Sequence, residues 1–301
     1  MQWQFSGIEV SVHSFLRAIG FGSVKNRSDE EKLINLVIEN ASEKQIFRVS
    51  DERAFVELYM EVAEETGVVV RGEQDERGNF HVSHYVPIHR GAAITSEEAL
   101  FVNKRVDTDA YTGMCDDYRL GVSLIFYIQN VVDLLKHPIL KKDRRKYPMY
   151  LSALATEGKI LLPVEKTQKE EEEVKLDLKN RSALIAEAKQ GNQEAMQSLT
   201  FDDIDQYALV SRRIRNEDIY SIVETSFIPY GSESDNYSIL GYITKVEQRK
   251  NSYTKEEFYL LSIECNEMNF EVCIHKDDLL GEPLPGRRFR GIVWMQGKVE
   301  V

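Results

Sequence analysis

The stretch EFYLLSIECNEMNFEVCIH, residues 257–275, reads as two strands joined by a tight turn, and it decides the fold of the last part of the chain. Apolar residues recur at alternate positions on both sides of Asn266-Glu267, the period of a half-buried strand. Pairing the two arms about that turn sets Ile263 opposite Phe270 and Leu261 opposite Val272, so one face is consistently apolar. The same register places Cys265 and Cys273 on different faces and predicts no disulfide between them. SILGYITKV (238–246) precedes the hairpin, KDDLLG (276–281) reads as a short helix after it, and RRFRGIVWMQGKVEV (287–301) supplies a closing strand. Four or five strands with a helix after the third suggest an OB-like small barrel, although other small barrels fit nearly as well.

Upstream, the period changes. VHSFLRAIGF (12–21) has Val12, Phe15, Leu16 and Ile19 at helical spacing, with Gly20 to end the helix. A second helix begins at SDEE (28–31), where Ser28 and Glu31 form a capping box ahead of Leu33, Ile34, Val37 and Ile38. AFVELYMEV (54–62), VVVRGE (68–73) and FHVSHYVPI (80–88) then alternate as strands, with DERGN (75–79) as a hairpin loop. SEEALF (96–101) reads as a short helix capped by Ser96, and LGVSLIFYI (120–128) as a buried strand, with a buried helix left open by periodicity. KKDRRK (141–146) and YPMY (147–150) look like a connector, and GKILLPV (158–164) like a strand. KTQKEEEEVKLDLK (166–179) starts a solvated helical region that runs to Ile214, broken at Gly191 and capped again by Thr200 with Asp203. NEDIYSIVETSFIPYG (216–231) leans to strand near its end. The fold class is therefore α+β: a mixed domain with a meander sheet (1–136), a connector (137–172), a helical segment (173–215) and a small β-barrel (216–301).

Composition narrows the function. The 301 residues carry a formal net charge of −12, divided as −4 over 1–150, −6 over 151–234 and −2 over 235–301. No segment is basic, which counts against nucleic acid as a partner, because that affinity comes largely from displacing phosphate counterions. Three cysteines without a Cys-x-x-Cys motif argue against a disulfide framework and a structural zinc site. No signal peptide and no apolar run long enough to span a membrane are visible, so a cytoplasmic location with no membrane partner is expected. Nucleotide-binding glycine motifs, Gly-x-Ser-x-Gly and His-Glu-x-x-His are absent, and no catalytic residue, metal or cofactor is assigned.

Three places merit weighing as sites. In the closing strand Arg287, Phe289, Val293, Met295 and Val299 point one way, as a core face. Arg288, Arg290, Ile292, Trp294, Gln296 and Lys298 point the other. Arg288, Arg290, Trp294 and Lys298 thus form a cationic strip with one aromatic, suited to stacking a base and holding phosphate, or to gripping a protein. The alternative is that Trp294 packs under a helix or another domain, and that the arginines pair with acids such as Asp277 and Asp278. In HVSHYVPIHR (81–90), His84 faces away from His81 and His89 in an extended strand, which disfavours a shared metal and suggests a hydrogen-bonded core histidine. In TGMCDDYRLGV (112–122), Cys115, Asp116 and Asp117 stand at a strand end, and with His84 they define a possible pocket. The acids would raise the thiol pKa, however, and loop aspartates commonly cap backbone groups.

FLRAIGF (15–21), CDDYRLGVSLIFYIQN (115–130), SRRI (211–214), FIPYGSESDNYSILGYI (227–243) and DLLGEPLPGRRFRGIVWMQG (278–297) together resemble a bacterial family of anaerobic Firmicutes, domain of unknown function 3881. The resemblance runs from about residue 12 to the end and implies no activity, cofactor or site residues. The leading expectation is a cytoplasmic, non-enzymatic binding or scaffolding protein with a protein partner. A single-stranded nucleic-acid factor using the barrel, and an enzyme with a site near Cys115-Asp116-Asp117, are the alternatives.

Overall fold

The alternation over residues 53–89 builds a meander. The computed structural model describes residues 4–5, 14–50, 53–105, 110–117, 119–120, 122–137, 146–164, 180, 183–184, 187–188, 192–199, 219–232 and 234–301. Its elements begin with β1 (Gln4–Phe5), α1 (Arg27–Asn40), β2 (Glu43–Arg48), β3 (Arg53–Ala63), β4 (Thr66–Asp75) and β5 (Phe80–His89). β6 (Leu100–Lys104), β7 (Tyr111–Cys115), β8 (Leu124–Ile128), α2 (Val131–Lys136) and β9 (Met149–Leu161) follow. The last are β10 (Ser226–Pro229), β11 (Asn236–Lys250), β12 (Glu257–Cys265), β13 (Met268–His275), β14 (Leu279–Leu280) and β15 (Arg288–Val299). The chain divides into two units, residues 1–161 with 226–301, and residues 162–225.

In the first unit, β2 to β5 pair antiparallel in sequence order, and β1 adds parallel to β5. The second sheet contains a closed ring. β11, β12 and β13 form an antiparallel meander; β13 pairs parallel with β9; β9 pairs antiparallel with β15; and β15 returns to β11. The expected hairpin register is present, with Ile263 opposite Phe270 and Leu261 opposite Val272. The barrel's fifth strand is β9, which begins at Met149 inside the stretch expected to be a connector. YPMY (147–150) reads as part of that connector, but Leu151, Ala153 and Ala155 point into the barrel core while Leu154 is buried on the other face. β10 extends the sheet beside β11, and β8, β7 and β6 extend it beside β15.

Over much of their length the barrel strands are buried on both faces. Leu261, Ile263, Phe270, Val272, Phe289, Val293 and Met295 fill the interior. Phe258, Leu260, Cys273, Leu154 and Trp294 point outward and pack with Val56, Met60, Val68, Val70 and Val86 of the five-stranded sheet. Burying such side chains contributes about 1.5–3 kcal/mol each before entropy is counted, so this second core ties the sheet to the barrel. Gly158 marks how tight the interior is, because a Cβ there would lie 2.4 Å from the Phe289 ring.

Some local expectations are corrected. Residues 16–19 form a short 3-10 turn rather than a longer helix; it ends where Gly20 takes φ 83, and Val12 lies outside the described residues. α1 is capped by Asn26, which accepts from the Asp29 N–H at 3.1 Å, so the helix starts ahead of Ser28. SEEALF is not helical: Ser96 bridges to Met149 and its hydroxyl goes to Asp117. KDDLLG is a 3-10 turn, Lys276–Asp278, followed by β14. In the second unit, positions 193–199 and Ile219–Ile222 are helical. The acidic run 166–179, Gly191, Thr200, Asp203 and Ile214 lie outside the described residues.

Phe289→Ala should destabilise the protein by about 3–5 kcal/mol in urea unfolding, because the ring fills the barrel interior. Tyr253→Ala, at an exposed position, should stay within about 0.5 kcal/mol of wild type.

Candidate functional site

The four strip residues on β15 are separated by the packing around them. Trp294 is 6% exposed, stacks on Phe15 with ring centroids 5.5 Å apart, and lies 5.1 Å from the Tyr127 ring. Its indole N–H donates to Asp235 at 2.9 Å. Arg288 is buried as well. Of the two acids named in the alternative as partners for the strip arginines, Asp278 accepts from Arg17 at 2.6 Å, and Asp277 lies 3.7 Å from the same arginine. Arg290 and Lys298 remain exposed, roughly 26 Å apart at strand rise, and they line different cavities. The strip is therefore not one continuous surface.

The thiol loop is built for structure. Cys115 is fully buried in the barrel-side core. Burial first, then the neighbouring Asp117 and Asp116 charges, pushes its thiol up to about 12. Asp117 is also buried; it accepts from Ser96 Oγ at 2.6 Å and from Arg119 at 2.8 and 2.6 Å. Burial opposes its charge, but those hydrogen bonds outweigh burial and hold its pKa below the usual carboxylate value. Asp116 accepts from Ser123. His84 is not brought to this group. It lies 3.4 Å from the Tyr127 hydroxyl, and Tyr127 packs in the sheet-side core while Cys115, Leu124 and Phe126 pack in the other.

Among the described residues, two open cavities offer sites. The first is a groove of about 520 Å³ on the outer barrel wall, where Arg290 sits directly opposite Lys159 on β9. Tyr230 and Leu280, 48% and 69% exposed, supply apolar surface beside them. Glu157 and Asp278 also line it.

The second, of about 560 Å³, opens where β2, β3 and the end of β5 meet the Gln129-Asn130 corner, β9 and the end of β15. Behind it, Arg71 is wholly buried; its Nε donates to Glu57 at 2.7 Å, and its other nitrogens donate to the Tyr127 hydroxyl and the Gln129 carbonyl. On its wall Arg90 donates twice to Glu43, both at 2.8 Å, and lies 4.0 Å from the Tyr59 ring centroid. Those hydrogen bonds hold Glu43 below its usual range. Sequence reasoning passed over this cavity. Its signals were a lone arginine inside VVVRGE and a Gln-Asn pair directly after an apolar strand, polar groups where only apolar ones were expected.

Residues 16–297 match the family model described as "Domain of unknown function, E. rectale Gene description (DUF3881)". The chain belongs to the DUF3881 family. The match takes in the whole five-strand ring apart from the last two residues of β15, and the groove around Arg290. No curated protein and no solved structure matches the chain.

Arg119→Ala should cost about 3–5 kcal/mol at pH 7, because it leaves a buried carboxylate without its cation. The sign with pH is fixed by linkage. In wild type the lowered Asp117 pKa contributes stability above the unfolded value of about 3.9, lost as pH falls through the folded value. In the variant, burial dominates and raises that pKa, so in denaturant titrations the deficit should shrink as pH falls toward about 4, and shrink further below it as wild type loses its own contribution.

Proposed function

We propose that this is a cytoplasmic, non-enzymatic binding or scaffolding protein whose partner is another protein, held at the groove around Arg290. The observation that carries the reading is the groove itself. Two cations, Arg290 and Lys159, stand directly opposite one another across β15 and β9, beside exposed Leu280 and Tyr230. A guanidinium beside an ammonium can receive a carboxylate through charge-assisted hydrogen bonds. Arginine with tyrosine and leucine is a composition suited to a protein hot spot. The fitting occupant is a segment bearing a carboxylate next to an apolar side chain.

Nucleic acid is the weaker reading. Trp294, the aromatic expected to stack a base, lies under Phe15, and residues 235–301 carry a net charge of −2. Catalysis at Cys115 has little support, since its thiol is buried with a raised pKa and His84 lies instead beside the Tyr127 hydroxyl, whose ring packs in the other core. No described helix is long and apolar enough to cross a membrane.

Affinity capture from native lysate, comparing wild type with Arg290→Glu/Leu280→Asp, tests the proposal. A protein that rebinds the purified chain, and loses affinity about tenfold or more with the variant, is the expected result. Salt-sensitive capture of nucleic acid instead, or equal protein binding by the variant, contradicts it.

A further inference from the structure

The cavity at the Gln129-Asn130 corner is independent of the Arg290 groove and has its own chemistry. Of the carboxylates on its wall, Glu43 is held by Arg90 and Glu57 by Arg71. Among the described residues, Glu65, Asp133 and Glu300 then stand against a single further cation, Lys298. Glu65 has only a 3.9 Å approach to Arg90. The balance at the wall is negative.

A second observation points the same way. Gln129 lines this cavity and is 4% exposed. Its Nε2 donates to the His89 carbonyl at 2.7 Å and to Gln296 Oε1 at 3.0 Å. The Gln296 amide is fixed in turn, because its own Nε2 donates to the Pro87 carbonyl at 2.8 Å. Turning the Gln129 amide over would therefore set oxygen against oxygen, so its orientation is determined. That leaves Gln129 Oε1 buried with no hydrogen-bond partner among the described residues. Gln45, also on the wall, has a buried Oε1 in the same condition. A buried acceptor without a donor costs free energy that an incoming N–H recovers.

We propose that this cavity binds an organic cation carrying N–H donors, an aliphatic amine or guanidine, whose charge meets Asp133 and Glu300 and whose N–H groups satisfy Gln129 and Gln45. Both the excess negative charge and the unmet acceptors are answered by one group, an ammonium or guanidinium. The volume accommodates a chain of several carbons as well as the charged head. A metal ion fits less well, since no described group of three or more His, Cys, Asp or Glu side chains is placed to hold one.

The test is calorimetric titration of the full chain with spermidine, agmatine, tetramethylammonium chloride and magnesium chloride at matched ionic strength. Saturable binding of spermidine or agmatine is expected, with none for tetramethylammonium, which has the charge without the donors. Glu300→Gln, at an exposed position, should weaken binding about two- to fivefold. Gln129→Leu should abolish it; should that variant fail to fold, Asp133→Asn with Glu300→Gln decides instead. Equal response to all four cations, absence of a saturable phase, or unchanged binding in the variants overturns the proposal. Arg290→Glu should leave the amine titration unchanged, so this site and the protein-binding groove stand or fall separately.

Discussion

The structure depends on one placement: β9 lies between β13 and β15. The meander of β11, β12 and β13 leaves an unpaired edge on β13, and β15 covers only the opposite edge, on β11. Pairing β9 parallel to β13 and antiparallel to β15 closes the ring and removes both edges. The closing strand comes from residues 149–161, separated from β10 by the whole second unit. The barrel is thus made from two stretches of chain that flank the second unit in sequence, and residues 226–301 have an incomplete core without residues 149–161.

Closure has a consequence for the outer wall. β9, β12, β13 and β15 carry apolar side chains on both faces, and the outward set is buried against β3, β4, β5 and the turn at 16–19. The face where an OB-like barrel commonly meets its ligand is here an internal packing surface. Trp294 is its clearest marker, with its ring on Phe15 and its N–H on Asp235. The open cavities lie at the margins: the groove where Arg290 and Lys159 meet, and the cavity where the two sheets part around Gln129 and Arg90.

Much of this was legible in the sequence. The hairpin about Asn266-Glu267 was readable to the residue because its turn and its alternation agree. The meander over 53–89 and the inward face of β15 were readable for the same reason. The strand at Met149 was hidden, because Ala153 and Ala155 have weak strand preference and basic residues precede them. The fate of the strip was not legible either. Alternation says that Trp294 and Arg290 share a face of β15, but not that Phe15, some 280 positions earlier, covers one of them and not the other. The cavity depends on long-range hydrogen bonds such as Gln129 to Gln296 and Arg71 to Tyr127, which local pattern cannot anticipate.

The claim on which the rest stands is that β9 completes the barrel. The most direct measurement is a ¹⁵N–¹H correlation spectrum of residues 226–301 expressed alone, set beside that of the full chain. The fragment should show collapsed amide dispersion and no protected amides, since β13 and β15 lack their common neighbour and Val272, Phe289 and Met295 lose the side chains of β9. A well-dispersed spectrum with slow exchange across β12 and β13 would mean that the C-terminal segment closes on its own, and would contradict the dependence of the barrel on β9.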